Sequence, residues 1–281
     1  MQRLKIRELL HWSSRSLVNS SSPDIDAWAL LKFVLQVDDA WLIANEQTPI
    51  DPQHEARIRK LVDFRNSGVP VAYLTNSRQF WSKDLHVNSR VLVPRPETET
   101  LVEAVLNTAR SFLSPTILEL GTGSGAIAIA LSTEIPHAEI TATDLSRDAL
   151  AIAKINLGRH NCANVKLMEA DWFSGLEGRK FHLICSNPPY IARNDPHLEA
   201  PELQHEPESA LVSGEDGLDA IRQIVSESSG YLHPGGWLVL EHAYDQAMQV
   251  QSIMNNARFV DVHSEKDLMD HDRVSLGRRP E

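Results

Sequence analysis

Asn187-Pro188-Pro189-Tyr190 is the segment of this chain whose residue types most narrowly specify a chemistry. An asparagine side-chain carbonyl and the backbone carbonyl that follows it are both acceptors, and together they suit the two hydrogens of one NH2 group. The two prolines fix φ and remove two N–H donors, so the loop presents carbonyls instead. Tyr190 adds a flat apolar face with a polar tip. The loop follows an apolar run, Phe181-His182-Leu183-Ile184-Cys185, that reads as a buried strand. Acceptors grouped at a strand's carboxyl end point to work on a planar, weakly nucleophilic nitrogen, an amide or an exocyclic amine.

A second constellation lies upstream. Glu119-Leu120-Gly121-Thr122-Gly123-Ser124-Gly125 joins a strand to the apolar helix Ala126-Ile127-Ala128-Ile129-Ala130-Leu131. Glycines in such a turn allow tight curvature and close backbone approach to a ligand, with helical N–H groups beyond. Gly121, Gly123 and Ala126 even satisfy the relaxed dinucleotide fingerprint, so the loop alone leaves a nicotinamide cofactor open. Asp144, at the end of the next strand, is the expected acceptor for ribose hydroxyls in either case. Two features tip the balance to S-adenosylmethionine. Glu119 is an acid placed to face a positively charged methionine moiety, and a hydride-transfer enzyme has no evident use for Asn187–Tyr190. Asp171 and Trp172 follow the third strand, where Asp171 suits the adenine amine and Trp172 a pocket wall. The bland readings are a core aromatic for Trp172, a solvated strand end for Asp144, an ion-pair partner for Glu119 and a strand terminator for the prolines. The ordered set carries the signal. It predicts methyl transfer to an amide or amine.

These residues need a scaffold. From Thr116 onward strands alternate with helices: strands at 117–120, 139–143, 165–168, 181–186 and 237–240, with helices at 147–159 and 217–232 among them. The alternation predicts an α/β fold, a doubly wound Rossmann-like parallel sheet with its site at the strands' carboxyl ends. A last pair, 258–263 and 273–276, predicts an antiparallel edge hairpin, which suits a methyltransferase sheet better than a dinucleotide fold. Residues 1 to 72 carry helical periodicity and predict a small bundle, with one helix over Ala27–Leu35 capped by Asp24 or Asp26 and another over Pro52–Asn66. Leu4, Leu9, Leu10 and Trp12 suit an amphipathic first helix, a reading favoured over a transit peptide. Between the two regions, Gln79-Phe80-Trp81, Leu85-His86-Val87 and Arg90–Val93 predict a β-hairpin connector, stopped by Pro94-Arg95-Pro96 before Glu97-Thr98-Glu99 opens a helix.

Composition limits the partners. Among 281 residues, 27 basic and 38 acidic side chains give a formal charge of −11, and no stretch concentrates Lys and Arg. Direct nucleic-acid binding is therefore not expected, and a basic protein partner is easier to reconcile. The two cysteines, Cys162 and Cys185, read as free buried thiols of a reducing, cytoplasmic setting. Twelve histidines fall outside any metal-ligand spacing, so no metal is expected, and no apolar run approaches a membrane span.

With these residues in place, the chain resembles the peptide chain release factor glutamine methyltransferases, the HemK/PrmC family, over nearly its whole length. The resemblance runs through Val93-Pro94-Arg95-Pro96-Glu97-Thr98-Glu99, Gly121–Gly125, Asp144, Asn187–Tyr190, Glu206-Pro207 with Ala210-Leu211, and Gly214–Asp219. It implies an S-adenosylmethionine-dependent sheet with an N-terminal helical domain (1–75) that docks the partner, a hairpin connector (76–94) and a catalytic domain (95–281). It also implies the acceptor, the glutamine of the Gly-Gly-Gln loop of class 1 release factors. Asn76 and Ala243 stand where the family often has glycine. Asn tolerates positive φ, so Asn76 is expected to keep the turn, and Ala243 is expected to alter its loop slightly. The competing readings are a ribosomal-protein acceptor, a nucleic-acid amino-methyltransferase and a non-catalytic adaptor. Net acidity and the short stretch after Tyr190 weigh against the nucleic-acid reading, and intact Gly121, Asp144 and Asn187 against the adaptor.

Overall fold

The structure, a computed structural model, describes residues 3–281. Contacts divide the chain into two units, one running through Ser77 and including Glu199–His205, the other comprising Arg78–Leu198 and Glu206–Glu281.

The first unit is helical: α1 (Ile6–Ser16), α2 (Pro23–Leu35), α3 (Asp39–Ala44), α4 (Pro52–Asn66) and α5 (Val71–Thr75). Its starts follow from local chemistry. Pro23 and Pro52 occupy first-turn positions where a missing N–H costs nothing. Asp38 and Asp51 cap α3 and α4 by accepting from Trp41 N and Gln53 N, both at 2.8 Å. Leu9, Leu30, Leu31 and Ile58 are fully buried at its centre. The expected cap at Asp24 or Asp26 is not used, because α2 begins at Pro23 and places both acids inside its first turn. Asp26 instead turns inward to pair with the buried Arg65 at 2.7 Å. Asn76 takes φ +53 just past α5, the left-handed turn expected of it.

The second unit opens with a hairpin, β1 (Arg78–Phe80) and β2 (Lys83–Leu85), joined by Trp81-Ser82 with φ +50 and +56. Two positive φ values in a two-residue loop match the right-handed twist of the strands. The run 86–93 does not extend the pairing. Val93 N is bonded to the buried Glu206 carboxylate at 2.9 Å, and Pro94 and Pro96 have no N–H to give to a ladder. After a 3-10 turn at Pro96–Thr98 the elements are α6 (Glu99–Ala109), β3 (Thr116–Leu120), α7 (Ala126–Glu134), β4 (Glu139–Asp144), α8 (Arg147–Arg159), β5 (Val165–Glu169), β6 (Phe181–Ser186), α9 (Asp219–Ser228), β7 (Leu232–Glu241), α10 (Ala247–Asn256), β8 (Val260–Lys266) and β9 (Asp272–Arg278).

The sheet order is β5-β4-β3-β6-β7-β9-β8, parallel from β5 to β7, with β9 antiparallel to both β7 and β8. β7 begins five residues before the predicted 237 because an irregularity between its pairings with Phe181 and Leu183 absorbs Pro234-Gly235-Gly236. The predicted helix 217–232 is correspondingly shorter. Side chains alternate across each strand. Leu118, Leu120, Ile184, Leu238 and Leu240 therefore join α9 and α10 in one core, while Glu119, Cys185 and Glu241 fall on the opposite face. Cys162 and Cys185 are free and buried. No described helix is long and apolar enough to cross a membrane.

Candidate functional site

The carboxyl ends of β3, β4 and β6 border a cleft of about 250 Å³ lined by Gly121, Gly123, Asp144, Leu145, Asp171, Trp172, Asn187, Pro188 and Pro189, with Val91 and Leu92 opposite. A parallel sheet opens a crevice where adjacent crossover connections diverge, and β3 and β6 supply that point here. A smaller pocket alongside brings Thr122 and Ser124 together with Gly121, Gly123 and Asn187.

The glycine loop is explained position by position. Gly121, Gly123 and Gly125 take φ +72, +54 and +82. A side chain at Gly121 or Gly123 would meet no protein atom within 4 Å and would project into open space, so their absence leaves room for a ligand against the backbone. At Gly125 a Cβ would come within 3.3 Å of the Ala153 Cβ, so this glycine serves close packing on α8. Asp144 holds the loop's shape, accepting from Gly123 N at 2.8 Å and Ser146 N at 2.9 Å. Burial raises its pKa, and these two N–H groups work against the shift. An acid at the end of β4, exposed glycine backbone and the Trp172 and Leu145 side chains form a donor set that fits an adenosine-bearing ligand. Trp172 packs partly on the core at φ +47, while Asp171 is exposed, its backbone N donating to Ser174 Oγ.

Glu119 does not line the cleft. It lies beneath the loop with no exposed surface, where Oε2 accepts from Thr122 Oγ1 at 2.9 Å and Oε1 has no partner. Burial pushes its pKa up to about 8, and the neighbouring Asp144 charge adds to the rise. It is a neutral support for Thr122 at ordinary pH.

The Asn-Pro-Pro-Tyr loop divides between two surroundings. Asn187, Pro188 and Pro189 face the cleft. Asn187 Nδ2 donates to Thr98 Oγ1 at 3.1 Å, while no described residue donates to its Oδ1 or to the Pro188 carbonyl. Tyr190 turns away, because its hydroxyl finds an acceptor inside: Oη donates to Glu241 Oε1 at 3.2 Å. Burial, then the Glu241 charge, holds the phenol above its ordinary pKa. Gly217 lets the following loop approach the Tyr190 carbonyl, from which a Cβ would stand only 2.3 Å, and Gln246 Nε2 donates to that carbonyl at 3.0 Å.

Sequence reasoning assigned no role to Thr98, Glu206 or Glu241. Glu206 binds Val93 N and pairs with Arg95, fixing the chain that leads to Thr98. Glu241 is wholly buried and raised to about 7 by burial, with the Thr98 hydroxyl, Arg273 and the Tyr190 hydroxyl pulling it back. The one available signal was an acid ending the apolar run Trp237–Leu240, which an ordinary solvated strand end also explains. Ala243 adopts no positive φ and its N–H is taken by Gln246 Oε1 at 3.0 Å, so glycine is not required there.

Comparison with known proteins agrees with this geometry. Residues 96–214 match the family model described as the methyltransferase small domain, and residues 8–75 match the PrmC N-terminal domain. A release factor glutamine methyltransferase from Xylella fastidiosa is 46% identical over 256 residues, covering 91% of this chain and 93% of its own length. One from Coxiella burnetii is 40% identical, covering 98% of this chain and 99% of that protein. A solved methyltransferase from Pyrococcus furiosus, 19% identical, shares the fold with a TM-score of 0.52 over 70% of this chain and 89% of its own. With a class I S-adenosylmethionine methyltransferase sheet, a matching N-terminal helical domain and near-full-length relatives at this identity, the chain belongs to the release factor glutamine methyltransferase family.

Proposed function

We propose that the protein methylates the side-chain amide nitrogen of the glutamine in the Gly-Gly-Gln motif of class 1 peptide chain release factors, using S-adenosylmethionine. The observation that carries this reading is the Asn187 amide, whose Nδ2 is held by Thr98 so that Oδ1 is turned to the cleft beside Gly121 and Gly123.

An amide nitrogen is a poor nucleophile because its lone pair is delocalised into the carbonyl. Bound S-adenosylmethionine supplies a methyl group already activated by a sulfonium. The chain's part is then positioning. Asn187 Oδ1 and the Pro188 carbonyl accept the two amide hydrogens and turn the nitrogen into line. The same acceptors stabilise positive charge growing on that nitrogen in a partly dry site. Alignment at about 3–3.5 Å is where the entropic advantage of the site arises. Pro188 and Pro189 lack N–H groups, so nothing in the loop competes as a donor. The product loses its proton to water, and no strong base is needed beforehand. Asp144 holds the ribose hydroxyls, Asp171 the adenine amine, and Trp172 and Leu145 the ring face. Thr122 and Ser124 border the methionine side, with Glu119 supporting Thr122 from below.

Residues 1–75 dock the acceptor protein, 76–94 connect, and 95–281 perform the transfer. Net acidity favours a protein partner over nucleic acid, and a translation factor as acceptor places the reaction in the cytoplasm. Labelled S-adenosylmethionine offered with a class 1 release factor, ribosomal proteins and ribosomal RNA in separate reactions tests the acceptor class. Label is expected on the release factor. Label confined to ribosomal protein or RNA would overturn the assignment.

A further inference from the structure

The two ends of the Asn-Pro-Pro-Tyr loop lead to one carboxylate. Tyr190 Oη reaches Glu241 Oε1 directly at 3.2 Å. Asn187 reaches Thr98 Oγ1 at 3.1 Å, and a hydroxyl that accepts still has its own proton to give. Glu241 Oε2 is buried without a partner, Thr98 is only 4% exposed, and the Thr98 hydroxyl is close enough to hold the Glu241 pKa down. A buried acceptor left empty beside a buried hydroxyl with a proton to place is costly for both, so the hydroxyl turns to the carboxylate.

We infer that Glu241 is a positioning residue, which takes Tyr190 directly and Asn187 through Thr98, and so decides which end of the Asn187 amide faces the cleft. The inference rests on the reading of Asn187 as the acceptor that holds a glutamine amide. Its content is a direction. An ionised carboxylate only accepts, so Thr98 donates to it and must accept from Asn187. Asn187 therefore shows its NH2 to Thr98 and its carbonyl to the substrate. A donor at position 241 reverses the chain: Thr98 accepts from it, gives its proton to Asn187 Oδ1, and turns the Asn187 NH2 outward against the hydrogens of the incoming amide. Protonation of Glu241 removes the constraint, because a carboxylic acid can both give and accept and so permits the reversed chain. The groups facing this carboxylate are Thr98 and Glu97 from the 3-10 turn, Tyr190 from the loop after β6, and Arg273 from β9, itself paired with Asp267 at 3.2 Å.

The test uses the full-length protein, labelled S-adenosylmethionine and a Gly-Gly-Gln release factor. Glu241→Gln, nearly the same shape, is expected to lower kcat on the order of 100-fold, the scale of one lost oriented polar group. The dissociation constant for S-adenosylhomocysteine and the KM for the release factor are expected to stay at wild-type values. Thr98→Val is expected to match that loss, and Thr98→Ser, which keeps the hydroxyl, to recover most of it. Wild-type kcat is expected to fall as pH drops below about 7, and the residual activity of Glu241→Gln to lack that step. If Glu241→Gln does not fold, the Thr98→Val and Thr98→Ser pair decides. Wild-type kcat in Thr98→Val, or equal losses in Thr98→Val and Thr98→Ser, overturns the inference. A wild-type protein that leaves the glutamine unlabelled overturns this inference and the proposed function together, whereas labelling by wild type with Glu241→Gln unimpaired overturns this inference alone.

Discussion

Asn187 Nδ2 donates to Thr98, whereas Asp144 accepts from Gly123 N of the glycine loop and from Ser146 N just beyond its own strand. Their substitutions should therefore separate. Asn187→Ala is expected to reduce kcat by roughly 10²–10³-fold with donor affinity nearly intact, the loss typical of one oriented stabilising group. Asp144→Ala is expected to raise the dissociation constant for S-adenosylhomocysteine, measured by calorimetry, far more than it lowers kcat. Glu119 gives a pH signature. Its folded pKa is about 8 against an ordinary 4.5, so between those values the unfolded chain has lost a proton that the folded one keeps. Stability from this group is full below 4.5 and declines as pH rises to 8. Melting temperature should fall over that interval, and fall less in Glu119→Gln, whose side chain stays neutral throughout; equal slopes would place the charge elsewhere. Asn187, Asp144 and the glycines were legible because each sits inside a local motif. Thr98 and Glu241 were not, because their roles depend on partners 89 and 51 positions away.

The loop between β3 and α7 combines a half open to the cleft with a packing half, which a substitution series can separate. Gly125→Ala places a Cβ at left-handed φ and against Ala153, so it should cost at least the ~1–2 kcal/mol of that conformation, read as a shift in the denaturation midpoint. Gly123→Ala carries similar backbone strain but projects into the cleft, so it should weaken donor binding as well. Equal donor affinity in both variants would contradict the division. The strands of this sheet were legible because β3 and β6, covered on both faces, read as near-continuous apolar runs, and the sequence placed β6 at the bounds the structure shows. The start of β7 was hidden by Pro234-Gly235-Gly236, which reads as a turn and is absorbed as an irregularity within the strand. The run 90–93 alternated like a strand yet stays unpaired, since its terminal N–H is claimed by Glu206 from 113 positions away. Periodicity reports side-chain faces and says nothing of which acceptor a backbone N–H will find.

At the scale of the whole chain, an acidic molecule with a helical first unit and a methyltransferase sheet suits a protein acceptor. The helical character of residues up to 75 was legible from periodicity, while the cap expected at Asp24 or Asp26 is not used and the caps that form are Asp38 and Asp51. That Glu199–His205 clusters with the first unit was not, since the Arg65–Glu202 pair and the His205 contact with Ser67 O join residues 137 and 138 positions apart. The sheet, the glycine loop and Asn187 at the cleft lead to one claim, that the methyl group arrives on a glutamine side-chain nitrogen. Tandem mass spectrometry of the Gly-Gly-Gln peptide, after a release factor has been incubated with the wild-type protein and S-adenosylmethionine, tests it most directly. The account expects one methyl group on the glutamine side-chain nitrogen, absent when Asn187→Ala replaces wild type for the same time. A methyl group on any other atom of the release factor, or an unmodified peptide beside methylated RNA, would contradict it.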